Sequence, residues 1–321
     1  MNIRATIQKI FSQEDLNFLL TNRIPRQTAT HFMGWFSQIK VGWIRDLSIS
    51  VWKLFTDLDL SEAKKRNFDS LHDCFIRELR PGARPIDMQS NIFVSPCDAI
   101  VGACGHVVNG QVFQAKGFPY TLRDLFGHET DTSQWQDGEY VTLRLTSSMY
   151  HRFHAPYDGS MQRVNYISGD TWNVNPIALK RVEKLFCKNE RALLSLEIGQ
   201  ARFPIALVPV AAILVASIRL HGIDTQFHSG WRGEKNFECN VQFNKGDELG
   251  WFQHGSTIIV FAPKGFTLAD NISPGQHIKM GEALMHLPTI MHKRSTTPAD
   301  SAAQSASQAE SSINSNGTLF S

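Results

Sequence analysis

The segment Tyr150-His-Arg-Phe-His-Ala-Pro156 puts two imidazoles, His151 and His154, three residues apart. On a helix they would share a face, and on a strand they would point to opposite sides. Such a pair serves as metal ligands, as two satisfied core residues, or as separate acid and base groups. A metal pair wants further ligands, and no third His or Cys stands at a telling spacing. Asp98, in Ser95-Pro-Cys-Asp98, follows an apolar run, where an aspartate either forms a turn or orients another group. Gly255-Ser256-Thr257 lies where the turn Gly250-Trp-Phe-Gln-His-Gly255 meets the β-branched run Thr257-Ile-Ile-Val-Phe-Ala262. Alone, Gly-Ser-Thr is an ordinary turn tripeptide. Beside Asp98 and the histidines it adds a hydroxyl nucleophile to a base and an orienting carboxylate, the Asp-His-Ser logic that is defined by role and not by chain order. The G-x-S-x-G elbow of the α/β-hydrolases is absent.

A frame must hold these groups. From about residue 75, Gly and Pro punctuate short β-branched runs at 91–96, 111–115, 140–145, 202–220 and 257–262, the pattern of a β-rich core with many turns. Residues 203–218 form the longest uncharged run, but Pro204, Pro209 and the Val/Ile content predict buried strands and not a membrane helix. Residues 1–65 read as helical, with no Gly before Gly34. Within them, residues 34–55 are expected to form one amphipathic helix with Phe36, Ile39, Trp43, Ile44, Leu47, Val51, Leu54 and Phe55 on a broad face that Lys40 interrupts. Over residues 1–56, seven Lys/Arg stand against three Asp/Glu. Trp-rich apolar surface with a basic flank suits the interface of an anionic bilayer, the alternative being that this face packs on the rest of the protein. No run there is long and apolar enough for a span. Residues 295–321 are Ser, Ala, Gln, Thr and Asn with almost no large apolar residue before Leu319, and predict a disordered tail. The expected organisation is a helical membrane-associating region at 1–65, a β-rich catalytic domain at 66–293 and a tail at 294–321.

Charge and cysteine content narrow the function classes. The 321 residues carry 32 Lys+Arg and 30 Asp+Glu, a net +2 without a long basic run, which argues against a nucleic-acid partner. Five cysteines, Cys74, Cys97, Cys104, Cys187 and Cys239, contain no C-x-x-C and read as apolar fillers in a reducing compartment. The N-terminus lacks the pattern of a signal peptide. Two internal echoes recur: Ser95-Pro-Cys-Asp-Ala99 with Ala155-Pro-Tyr-Asp-Gly159, and Lys245-Gly-Asp-Glu-Leu249 with Met280-Gly-Glu-Ala-Leu284. Turn chemistry accounts for both, as would a duplicated small barrel similar to biotinyl/lipoyl-type sandwiches. The expected class is therefore α+β, mostly β, with a duplicated barrel-sandwich-like core.

Several segments in one order and spacing carry a more specific likeness: Phe75-Ile-Arg-Glu-Leu-Arg-Pro-Gly-Ala-Arg-Pro85, Ser95-Pro-Cys-Asp98, Gln114-Ala-Lys-Gly117, Tyr150-His-Arg-Phe-His-Ala-Pro156, Asn173-Val-Asn175, Asn189-Glu-Arg191, Lys245-Gly-Asp-Glu-Leu-Gly250 and Gly255-Ser-Thr257. Over roughly residues 66–290 the chain resembles the bacterial, membrane-associated phosphatidylserine decarboxylases. The resemblance implies self-cleavage between Gly255 and Ser256 by a processing triad of Asp98, His154 and Ser256, with His154 as base and Asp98 fixing its tautomer. Residues 1–255 and 256–321 would then form a β/α heterodimer, with further dimerisation open. Ser256 would become a covalent pyruvoyl group, the only cofactor, with no metal. Its ketone would form a Schiff base with phosphatidylserine and serve as the electron sink for loss of carbon dioxide. His151 would return the proton, and hydrolysis would release phosphatidylethanolamine. The implied location is peripheral, on the cytoplasmic face of the cell membrane. Lys116 lies in a matching segment with no role implied.

One position departs from the family. Leucine commonly precedes Gly-Ser-Thr, and His254 stands there in this chain, an imidazole beside the scissile bond that bears on processing rate. Two other readings compete. A carrier module on biotinyl-like barrels would need an exposed modifiable Lys or His at a hairpin tip, and Lys279-Met280 has no Met on its other side. A membrane scaffold using only the N-terminal helices would leave the histidine pair and Gly255-Ser256 without a purpose.

Overall fold

The computed structural model describes residues 13–289 except 116–117, 215–216, 224–225, 228–230 and 254–256. The expected cleavage pair Gly255 and Ser256, with His254, Lys116 and the tail from 294, lies outside the described residues. One compact unit ends at Pro288.

Three helices lead the described residues: α1 (Glu14–Asn22), α2 (Arg26–Phe36) and α3 (Gly42–Phe55). Pro25 separates the first two, since its ring disfavours helical backbone at the preceding residue. The single helix expected over 34–55 is two helices. The Ser37 carbonyl, which would continue α2, instead accepts the backbone N–H of His72, so a tertiary contact ends the helix there. Residues 56–65 are irregular and not helical. Short helices follow at α4 (Leu71–Phe75), α5 (Leu122–Phe126), α6 (Pro176–Leu179) and α7 (Leu185–Lys188).

The rest is β. The strands are β1 (Ile92–Val94), β2 (Ala99–His106), β3 (Gln111–Ala115), β4 (Phe118–Thr121), β5 (Glu139–Arg144), β6 (Arg152–His154), β7 (Gly159–Ile167), β8 (Arg191–Ile198), β9 (Phe203–Val210), β10 (Ile218–Leu220), β11 (Gln226–Phe227), β12 (Asn236–Phe243), β13 (Glu248–Phe252), β14 (Thr257–Ala262), β15 (Thr267–Leu268), β16 (His277–Ile278) and β17 (Ala283–His286). The largest sheet runs β12-β7-β8-β9-β14-β5-β2-β16; smaller ones run β11-β10-β13-β6, β1-β17-β15 and β3-β4. The expected class, mostly β with a few helices, is the one observed. The turn echoes lead into different sheets: residues 245–249 run into β13 and 280–284 into β17.

The uncharged run expected to form buried strands does so in β9, which lies between β8 and β14. All six residues of β14 are buried. Ile258, Ile259, Val260 and Phe261 alone contribute on the order of 10 kcal/mol of apolar burial before chain entropy is charged. Phe261 packs edge-on against Phe126 of α5, with ring centroids 5.1 Å apart. β14 is thus a rigid rail whose first residue, Thr257, sits directly after the Gly-Ser pair.

The leading helices are fastened by polar straps. Arg26 of α2 pairs with Asp170 at 2.5 Å and lies 3.8 Å above the Trp172 ring. Asn22 accepts the Asn173 N–H, Asn175 donates to Asn17, and Thr30 accepts the Leu214 N–H. Asn173 and Asn175, conspicuous in the sequence without a role, thereby tie α1 to the β domain. α3 differs: it has no buried residue, and Trp43, Leu47, Val51, Leu54 and Phe55 are exposed, Trp43 by 70%. Among the described residues no helix is long and apolar enough to cross a membrane.

Candidate active site

β6 places the histidine pair. It pairs antiparallel with β13, where His154 lies opposite Glu248 and Phe153 opposite Gly250. Gly250 is required there, because a Cβ would overlap the carbonyl oxygen of Arg219 on β10 and press the Phe153 ring. His151, just before the strand, and His154, at its end, have different neighbours and share no partner.

His154 is buried and bonded through both nitrogens. Nδ1 lies 2.9 Å from the Gly246 carbonyl, and Nε2 lies 3.0 Å from the Tyr150 hydroxyl. A carbonyl can only accept, so Nδ1 carries the proton and the neutral ring keeps its lone pair on Nε2. Burial pushes this imidazole below its ordinary value; the Gly246 carbonyl and the charges of Glu248 and Asp98 oppose that shift, while Arg152 adds to it. The ring is therefore a neutral base aimed through Nε2.

Asp98 sits close by but is otherwise engaged. Its loop touches the strand, since the His154 N–H donates to the Pro96 carbonyl. Its carboxylate takes a two-pronged bond from Arg84, at 2.8 and 2.5 Å, and the Met280 N–H at 2.9 Å. Both side chains of this pair are at most 10% exposed. The hydrogen bond expected from Asp98 to His154 is not among the described contacts: the Gly246 carbonyl sets the tautomer, and Asp98 acts on the ring through space.

His151 is fully buried. Its Nε2 donates to the Ser147 carbonyl at 3.1 Å, which leaves the lone pair on Nδ1 without a partner among the described residues. The ring stacks on Phe75 of α4 at 4.1 Å, and Phe75 stacks on Trp52 of α3 at 5.2 Å. Burial pushes its pKa down to about 3, with the Arg77 charge acting in the same direction and the Ser147 carbonyl against it. His151 is neutral in this state.

Two cavities meet at the loop between β5 and β6. An apolar one of about 880 Å³ lies among α2, α3, α4 and the ends of β5 and β9, lined by Trp52, Phe75, Arg144, Thr146 and Leu214. A polar one of about 370 Å³ is lined by Arg77, Arg84, Asp98, Thr146 and Tyr150. Thr146 lines both. Thr257 pairs with Arg144, so β14 begins at the wall of the apolar cavity. The segment before it is anchored at its other end, where Phe252 N–H donates to the His151 carbonyl and Gln253 N–H to that of Ser217.

Sequence reasoning assigned no role to Tyr150, Arg84 or Gly246. Tyr150 and Arg84 lie inside the motif segments, but only three-dimensional proximity reveals their partners. Gly246 acts through its backbone carbonyl, a contribution that no residue type announces.

The sequence model of the family described as phosphatidylserine decarboxylase matches residues 71–286. A phosphatidylserine decarboxylase proenzyme of Saccharophagus degradans is 33% identical over 288 residues, covering 86% of this chain and 99% of the relative. Proenzymes of the same name from Idiomarina loihiensis and Haemophilus influenzae are 33% and 32% identical, covering 87% and 82% of this chain and 96% and 93% of their own lengths.

Proposed function

The chain belongs to the phosphatidylserine decarboxylase family, and from that we propose that it is a self-processing precursor acting on phosphatidylserine at an anionic membrane. Ser256 Oγ attacks the Gly255 carbonyl and gives its proton to His154; the ester that forms is eliminated, which divides the chain into residues 1–255 and 256–321, and water then hydrolyses the imine at the new end with loss of ammonia. Glycine before the serine keeps the attacked carbonyl free of a side chain. The observation that carries this reading is the tautomer of His154, a buried neutral imidazole with its lone pair on Nε2.

The residues around the segment suit a pyruvoyl group at position 256. Among the described residues, the buried hydroxyl of Thr257, one peptide bond away, has no hydrogen-bond partner, and neither has the buried Nδ1 of His151. Bound in that place, the keto-acyl group would supply an electron sink for the pair left on the carbon that loses carbon dioxide. His151 handles the proton. An anionic headgroup beside its ring raises its affinity for a proton, which Nδ1 can then return to the carbon that lost its carboxylate. The exposed face of α3 meets the cytoplasmic surface of the bilayer, and the apolar cavity beneath it takes the lipid's acyl portion.

Denaturing electrophoresis and mass measurement test the reading. The purified protein should run as chains of 255 and 66 residues, the smaller lacking a free α-amine, and Ser256→Ala should give one band without activity. An uncut chain that decarboxylates phosphatidylserine would overturn it.

A further inference from the structure

The polar cavity is lined by Tyr150 and Asp98, and His154 is not among its lining residues. The base therefore reaches that cavity through the phenol hydroxyl bonded to its Nε2. Tyr150 is itself only 5% exposed, and its ring lies 5.7 Å from the His154 ring. Burial keeps the phenol protonated, with the charges of Glu248 and Asp98 acting in the same direction.

We propose that Tyr150 is a positioning residue for self-cleavage, which orients His154 through Nε2 and connects that nitrogen to the polar cavity. The inference rests on His154 being the base. A hydroxyl suits both protonation states of its neighbour. While the ring is neutral, with Nδ1–H held by Gly246, Tyr150 donates to the lone pair. Once the ring takes up a proton, the hydroxyl rotates and its oxygen accepts from Nε2–H. The second bond is charge-assisted and about twice as strong as the first, so the hydroxyl favours proton uptake. The charged groups facing the pair act with it or against it: Arg152 on β6 itself, Glu248 from β13, and Asp98 and Arg84 from the loop side. A second route for the proton follows from the same bond: Tyr150 can pass its own proton to Nε2 while taking up the one that the Ser256 hydroxyl loses on attack, and so ends neutral.

The test measures His154 itself. In the full-length Ser256→Ala chain, the His154 imidazole is titrated by ¹H–¹⁵N NMR, assigned through His154→Gln, with and without Tyr150→Phe. The expected result is an Nδ1–H tautomer and a midpoint about one pH unit lower in the Tyr150→Phe chain. In the Ser256 chain made by cell-free synthesis, Tyr150→Phe should slow cleavage roughly tenfold at fixed pH. An unchanged or higher midpoint overturns the proposal, as does an Nε2–H tautomer in the chain that keeps Tyr150, a readout that survives even if the phenylalanine variant fails to fold. Cleavage at the normal rate in His154→Gln would instead remove His154 as the base, and so separates failure of that reading from failure of this one.

Discussion

Replacing Arg84 by Met tests what holds Asp98 in place. The two side chains are 8% and 10% exposed, so their attraction is little screened, and the guanidinium covers both carboxylate oxygens. Without it, Asp98 keeps only the Met280 N–H as a hydrogen-bond partner among the described residues. Breaking a buried pair costs about 3–5 kcal/mol. Loss of the Arg84 bond to the half-exposed Glu62 adds about 0.5 kcal/mol. Asp98→Asn alone costs about 3 kcal/mol, because Arg84 then loses its buried counter-charge. Asparagine still accepts from Met280, however, so Arg84→Met with Asp98→Asn leaves no stranded charge and should cost about 3 kcal/mol in total. The coupling energy is then about 4–5 kcal/mol, the amount by which the two single costs together exceed that of the double variant, read from urea unfolding of the four chains in the uncleaved Ser256→Ala background. Costs that add to within about 0.5 kcal/mol would show that Arg84 does not position Asp98, and the electrostatic role given to that carboxylate would lose its support.

His151→Phe should leave chain cleavage intact and lower decarboxylation by a factor of about 100 or more; normal turnover would remove His151 from the chemistry. The same substitution has a pH signature. The folded pKa of about 3 lies below the ordinary 6.5, so as pH falls from about 6.5 towards 3 the unfolded chain binds a proton that the native ring refuses. Stability drops there by about 1.4 kcal/mol per pH unit, and in the phenylalanine variant this slope should flatten in urea titrations at pH 6.5, 5.5 and 4.5. Trp43→Glu or Leu47→Glu on α3 should weaken sedimentation with phosphatidylserine-containing vesicles about 30-fold, since each removes about 2 kcal/mol of apolar transfer. Both sites are open, so the melting temperature should hardly move, and unaltered vesicle binding would place the membrane contact elsewhere.

The parts of the fold that were legible in the sequence are those decided locally. Two faces covered by neighbours leave β14 and β9 no need of polar residues, so both read as continuous apolar runs. The division of residues 34–55 into two helices was not legible, because it depends on the His72 N–H reaching Ser37 from 35 residues away. The site divides likewise. Residue types and motif order pointed to His151, His154 and Asp98, but the Gly246 carbonyl that fixes the His154 tautomer is 92 positions distant. Arg84 lay in a quoted segment and still could not be matched to Asp98, 14 positions on, without coordinates.

The place of β14 bears on what division of the backbone just before it would leave behind. It is an inner strand, bonded to β9 on one side and β5 on the other, and the residues after it add β16 to the same sheet and β15 and β17 to another. Dialysis would not part the two pieces, and neither would dilution, for each completes sheets that the other begins. Made as separate polypeptides, neither piece would have a finished core of its own to fold around, so synthesis as one continuous chain is what would let such a pair assemble.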